Sequence, residues 1–113
     1  MTTQTTQTTE AAQAGEVVYR TGDAILVHFH TITSPAIVAG VTRRKAGPWL
    51  YVVGKHFGMN IGPEQQVGSP IFDSTFPVRC ELVAVSPEHE AIAENVRIRL
   101  RRRDGANSTI DGR

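Results

Sequence analysis

Two imidazoles, one thiol and two blocks of arginine are the side chains of this 113-residue chain best suited to chemistry. His28 and His30 flank Phe29, and in an extended segment residues two apart share a face, a geometry that metal sites use. A tetrahedral set would need His56, His89 or Cys80 as well, and these are scattered without ligand spacing. The expectation is two partly exposed strand histidines and no metal. Cys80, the single cysteine, lies in an apolar run between Val78 and Leu82 and reads as a buried structural thiol rather than a nucleophile. It cannot form an internal disulfide, in keeping with a reducing compartment. Gly54-Lys55-His56 lacks the hydroxyl residue after the lysine and the glycine spacing of a phosphate loop. Glu88, Glu90 and Glu94 fall along one short segment as solvated acids. No catalytic residue and no cofactor is assigned.

The arginines point to binding. Of the 12 basic residues only Lys45 and Lys55 are lysine. Arginine suits bidentate contacts to phosphate or carboxylate, and a GC-rich genome would enrich it without any functional cause. Arg43, Arg44 and Lys45 crown a hairpin followed at once by Trp49 and Tyr51. Arg97, Arg99 and Arg101, continuing into Arg102 and Arg103, form a second block. Cations beside aromatic rings suit neutralisation of a nucleic-acid backbone with stacking of its bases, whereas charged hairpin tips and strand edges also serve solubility. The net charge of +1 and a pI near 8.0 fall short of the pI above about 9 of a dedicated duplex binder. That neutral total hides segregation, because acidic residues at 88–94 stand directly before the basic run at 97–103.

These residues must be positioned by a small domain. The chain is 12.3 kDa with 40% hydrophobic residues, enough for one core. Residues 1–15 form a Thr/Gln-rich leader, 16–103 the domain and 104–113 a polar tail. Short β runs are expected at Val17 to Arg20, Ala24 to His30, Ala36 to Thr42 and Trp49 to Val53. Turns fall at Thr21-Gly22-Asp23, Ser34-Pro35 and Ala46-Gly47-Pro48. Residues 54–77 read as a long Gly/Pro loop pinned by Ile71, Phe72 and Phe76, the kind of loop that carries function. Val78 to Val85 is a further strand. Ser86 and Pro87 suit a helix start, predicting a short helix over Pro87 to Asn95. Alternation of Val96, Ile98 and Leu100 with arginines predicts a last strand there, with a longer helix through Arg103 as the other reading.

The class expected is mainly β: a small, partly open β-barrel or sandwich of about five to six strands with one short helix near the C-terminus. The early Gly22-Asp23 turn, the hairpin through Ala36 to Val53, the long loop and the closing Leu82-Val83-Ala84-Val85 resemble the small Src-homology-3-like or Tudor-like barrels. That resemblance implies a binding module using its loops and one open face for peptide or nucleic acid. Gly22 six positions before His28 also resembles the first cupin motif, but Thr31 to Pro35 hold no glutamate after the second histidine.

The function expected is therefore non-enzymatic: contact with a protein or nucleic acid through Arg43, Arg44, Lys45, Trp49, Tyr51, Arg97, Arg99 and Arg101, aided by the long loop. The alternative is a structural component of a larger homo-oligomeric assembly such as a bacteriophage virion. No apolar run reaches the roughly 20 residues a membrane span needs, and Met1 to Glu10 is not a secretory signal, so the expected location is cytoplasmic, or the virion if phage-encoded.

Overall fold

The computed structural model describes residues 17–102. The leader and the tail assigned from sequence lie outside the described residues. Five strands follow in order: β1 (Ala24–Phe29), β2 (Ile32–Arg44), β3 (Gly47–Gly54), β4 (Gly58–Ile61) and β5 (Val78–Leu82), and helix α1 (Pro87–Val96) comes last. They form one antiparallel sheet in the order β4-β3-β2-β1-β5. The architecture is mainly β with one short C-terminal helix, as the residue pattern implies, and the barrel is partly open.

Alternation in the strands sorts side chains onto two faces. Ile25 and Val27 of β1, Ala36 and Val38 of β2, Leu50 and Val52 of β3, Ile61 and Cys80 build the inner core, and Tyr19 closes it. On the outer face Ile37 packs against Ile92 and Ala93 of α1, with Ile98 and Leu100 beside them. Thus the middle of β2 is covered on both faces, and its apolar run Ala36-Ile37-Val38 is wholly buried.

Several segments depart from the sequence expectation for identifiable reasons. Residues 17–20 form no strand; Tyr19 instead inserts into the core and donates its hydroxyl to the Val67 carbonyl at 2.9 Å. The expected turn at Thr21-Gly22 is present, whereas the reversal between β1 and β2 falls at His30-Thr31, where Phe29 faces Ile32 and His30 takes a left-handed φ of 37°. Ser34-Pro35 therefore lies inside β2. Proline is tolerated there because the β2–β3 ladder begins only at Ala36, so no β3 partner is deprived of a donor. The 54–77 stretch contains β4 and a 3-10 turn at Pro63–Gln65. Of the expected apolar anchors Ile71 is exposed, while Phe72 and Phe76 are half-buried; Gln66 is fully buried and donates to the carbonyls of Pro48 (2.7 Å) and Ile61 (3.4 Å). Gln66 also makes an isolated parallel bridge to Cys80, so it spans the gap between the edge strands β4 and β5.

Helix α1 starts as predicted, with Ser86 as N-cap and Pro87 in the first turn. It ends at Arg97, which adopts the left-handed conformation (φ 58°, ψ 44°), and Ile98 N–H bonds the Ala93 carbonyl at 3.0 Å. No strand follows. Residues 98–100 run on without a ladder, yet Ile98 and Leu100 turn inward and Arg97, Arg99 and Arg101 outward. The alternation is real, but its cause is packing against α1 and β2 rather than strand pairing.

Candidate binding surfaces

The hairpin β2–β3 carries the first basic block into a different arrangement from a simple charged tip. Its two-residue turn is Lys45-Ala46, and Arg43 and Arg44 remain paired in the ladder, opposite Pro48 and Gly47. Successive strand residues face opposite ways, so the two arginines part. Arg44 faces outward, and its guanidinium sits 5.8 Å from the centre of the Trp49 ring, the range of a cation–π contact. Gly47, directly opposite, offers no side chain to block that lean. Arg43 lines the other side, in a small cleft with Tyr19, Pro48, Gln66, Ser69 and Pro70. Gln66, Ser69 and Pro70 of the 54–77 stretch thus share a cleft with Arg43 and not with Arg44. Lys45 is exposed at the turn.

On the outer face the register sets Thr42 opposite Trp49, and Tyr51 opposite Gly40 on one side and Asn60 on the other. Thr42, Arg44, Trp49, Tyr51 and Asn60 line a shallow cavity of about 180 Å³. Tyr51 is 48% exposed, a large ring left open in the middle of a sheet. It lies across Gly58, where a Cβ would stand 2.7 Å from the tyrosine hydroxyl. Glycine at that position is what lets the ring lie over β4.

The second block lies elsewhere. Arg101 N–H bonds the Gly22 carbonyl at 2.8 Å, and Gly22 N–H bonds the Val38 carbonyl at 2.7 Å. Arg43 is five residues further along β2 than Val38, a separation of about 16 Å along an extended chain. Arg99 and Arg101 share an open cavity of about 510 Å³ with Arg102, Leu100, Thr21 and Arg20. Arg97, exposed at the end of α1, is not among its lining residues. Arg20 and Thr21 were missed in the sequence because nothing local links them to residues 99–102. Only the Gly22 turn joins the two segments.

The histidines are employed structurally. In the ladders Thr33 is directly opposite His28 and Glu81 is its diagonal neighbour. The His28 ring accordingly sits 3.0 Å from Thr33 Oγ1 through Nδ1 and 2.6 Å from Glu81 Oε1 through Nε2. This hydroxyl–imidazole–carboxylate chain is accounted for by cross-strand pairing. His30 sits in the turn and not on the strand. His89 is buried: Nε2 donates to the Ile25 carbonyl (2.8 Å), which leaves Nδ1 to accept from Ser86 N–H (3.1 Å). Among the described residues no group of three or more His, Cys, Asp and Glu converges as a metal site.

Cys80 is fully buried, and burial pushes its thiol up to about 12 from an ordinary value near 9. Burial also raises the Tyr19 hydroxyl, which lies 3.5 Å from the Cys80 carbonyl. Burial thus keeps the folded thiol protonated near neutral pH and withholds the nucleophilic thiolate. We expect no reaction of Cys80 with an aromatic disulfide reagent in native protein and one equivalent in denaturant; rapid native labelling would contradict the burial. Both groups hold their protons more tightly folded than unfolded. Their stabilising contribution is thus complete below about pH 9 and declines as the pH rises toward 12, which a urea titration at pH 8 and pH 10.5 reads out.

Among the described residues no helix is long and apolar enough to cross a membrane. No protein-family model, curated protein or solved structure matches this chain.

Proposed function

We propose that the domain is a non-enzymatic binding module that holds single-stranded nucleic acid on the outer face of β2, β3 and β4. The observation that carries this reading is the half-exposed Tyr51 ring beside Trp49 and Arg44. An open ring offers a stacking platform of a kind worth about 1–3 kcal/mol per base, and it accepts any base because every base has a π-face. Arg44 supplies the cation for the adjacent phosphate. Thr42 and Asn60 offer hydroxyl and amide groups at the rim, suited to base edges splayed out from a single strand. Duplex DNA is disfavoured by the near-neutral total charge. The open five-stranded sheet is read, within this proposal, as a small Src-homology-3-like or Tudor-like barrel, a likeness that confers no function by itself.

The test is binding of a fluorescent single-stranded oligonucleotide at low salt. Tyr51→Ala is expected to weaken it about tenfold by removing the stack, and Arg44→Gln about tenfold by removing the phosphate contact with a shallower salt dependence. Absence of binding by the native chain, or binding indifferent to both changes, would sink the nucleic-acid reading. Light scattering on the same samples tests the alternative of a homo-oligomeric assembly component, whose signature is a mass well above that of one chain.

A further inference from the structure

The cavity lined by Arg20, Arg99, Arg101 and Arg102 is separate from the aromatic face and has a chemistry of its own. It draws four arginines from two segments about eighty positions apart in sequence, and Thr21 is the hydroxyl residue of its lining. Two carboxylates oppose them. Asp23 Oδ1 stands 3.6 Å from Arg101 Nε, and Glu90 Oε2 accepts from Arg102 Nη2 at 3.0 Å. Arg20 and Arg99 have no carboxylate partner among the described residues. Among the described residues, four arginines against two carboxylates leave an excess of two positive charges.

The arrangement is also preorganised. Asp23 is fully buried, and its Oδ2 accepts the Arg20 backbone N–H at 2.8 Å while its Oδ1 faces Arg101. One carboxylate therefore sets the relative position of both arms of the cavity. The Arg101 N–H to Gly22 carbonyl bond clamps the backbone of the second arm to the turn. Inward packing of Ile98 and Leu100 forces Arg99 and Arg101 to the outside. An excess of two positive charges among the described residues, arginines brought to one cavity from two segments and a hydroxyl donor together match a tetrahedral dianion, since guanidinium binds phosphate through paired N–H donors.

We propose that this cavity is a binding site for a phosphate dianion, either free orthophosphate or the terminal group of a small phosphate monoester. The site is independent of the nucleic-acid reading: it shares no residue with the Thr42–Asn60 cavity, and its Gly22 turn meets β2 at Val38, six residues before Arg44.

The experiment is a titration of the full chain with orthophosphate and, separately, with phenyl phosphate, in a phosphate-free buffer with ionic strength held constant by chloride. Binding is followed by phosphorus NMR and by the backbone amide shifts of Thr21 and Arg101. Saturable binding is expected, with the largest shifts at those amides. Arg20→Gln combined with Arg99→Gln is expected to weaken it at least about tenfold, because each removes a charge-assisted donor. Lys55→Gln, which removes one exposed cation from the β3–β4 turn, is expected to leave it unchanged. Thermal melts of both variants check folding. Tighter binding of orthophosphate identifies the free ion as ligand, and tighter binding of phenyl phosphate identifies a monoester. No saturation with either probe, or equal weakening by Lys55→Gln, overturns the proposal. The oligonucleotide assay is read separately on the same variants, so failure of one reading is distinguishable from failure of the other.

Discussion

Replacing His89 with alanine is expected to lower the stability of the domain by about 3 kcal/mol, from the cavity left by a buried ring and the loss of its hydrogen bonds. The ring joins two elements at once. Through Nδ1 it accepts from Ser86 N–H and lies 2.8 Å from Ser86 Oγ, filling the position that glutamate or glutamine holds in a capping box. Through Nε2 it ties α1 to β1 at the Ile25 carbonyl, 64 positions away. Its removal unfastens the start of the helix and detaches the helix from the sheet. For a domain of this size the midpoint of thermal unfolding should fall by about 12–24 °C. Ser86→Ala removes the cap hydroxyl but keeps the tether, and about 1 kcal/mol is expected. Equal losses for the two variants would show that the tether to Ile25 contributes nothing and that His89 acts as a cap alone.

His89 shows where sequence reading stops. Ser86 and Pro87 announce the helix start because capping is decided within four residues, and the helix forms where they place it. The hairpin of β2 and β3 is similarly legible, since Gly47 and the apolar alternation on either side are local signals. A histidine that bonds a carbonyl in the first strand carries no such mark. The same holds for Gln66, a polar residue in a Gly/Pro-rich stretch that becomes the buried link between β4 and β5. Both are polar residues whose burial is decided by distant backbone groups.

The candidate sites divide along the same line. Arg44, Trp49 and Tyr51 could be nominated together because strand register brings near neighbours in sequence onto one face, and the structure does gather them. Arg43 parts from Arg44 for the reason that makes strands legible, the reversal of direction at each residue. The second basic block was visible, but its partner Arg20 was not, since the contact runs through the Gly22 turn. Alternation at residues 96–100 suggested a strand because two-residue periodicity reports which side chains are buried and is silent on whether a neighbouring strand exists.

Gly22 is the point on which the second basic surface depends, and Gly22→Ala is expected to cost about 2–4 kcal/mol, combining an unfavourable positive φ with a backbone clash. The residue adopts φ 95°, and an added Cβ would stand 2.5 Å from the Arg99 carbonyl oxygen and 3.1 Å from Arg101 Cγ. A flexible side chain could move aside, but the carbonyl belongs to the backbone of the segment that carries the arginines. Relief therefore requires residues 99–101 to withdraw, which breaks the Arg101 to Gly22 hydrogen bond and moves Arg101 away from Asp23. Hydrogen exchange should register this as lost protection at the Arg101 amide while amides in the β2–β3 ladder stay protected. Phosphate affinity should fall with all four arginines still in the chain, separating their placement from their charge. Gly40→Ala is the contrast, because a Cβ there meets nothing within 4 Å, and its effect should stay within about 0.5 kcal/mol. If Gly22→Ala proved as harmless as Gly40→Ala, with the Arg101 amide still protected, the close approach of the two segments would be refuted and the anion cavity with it.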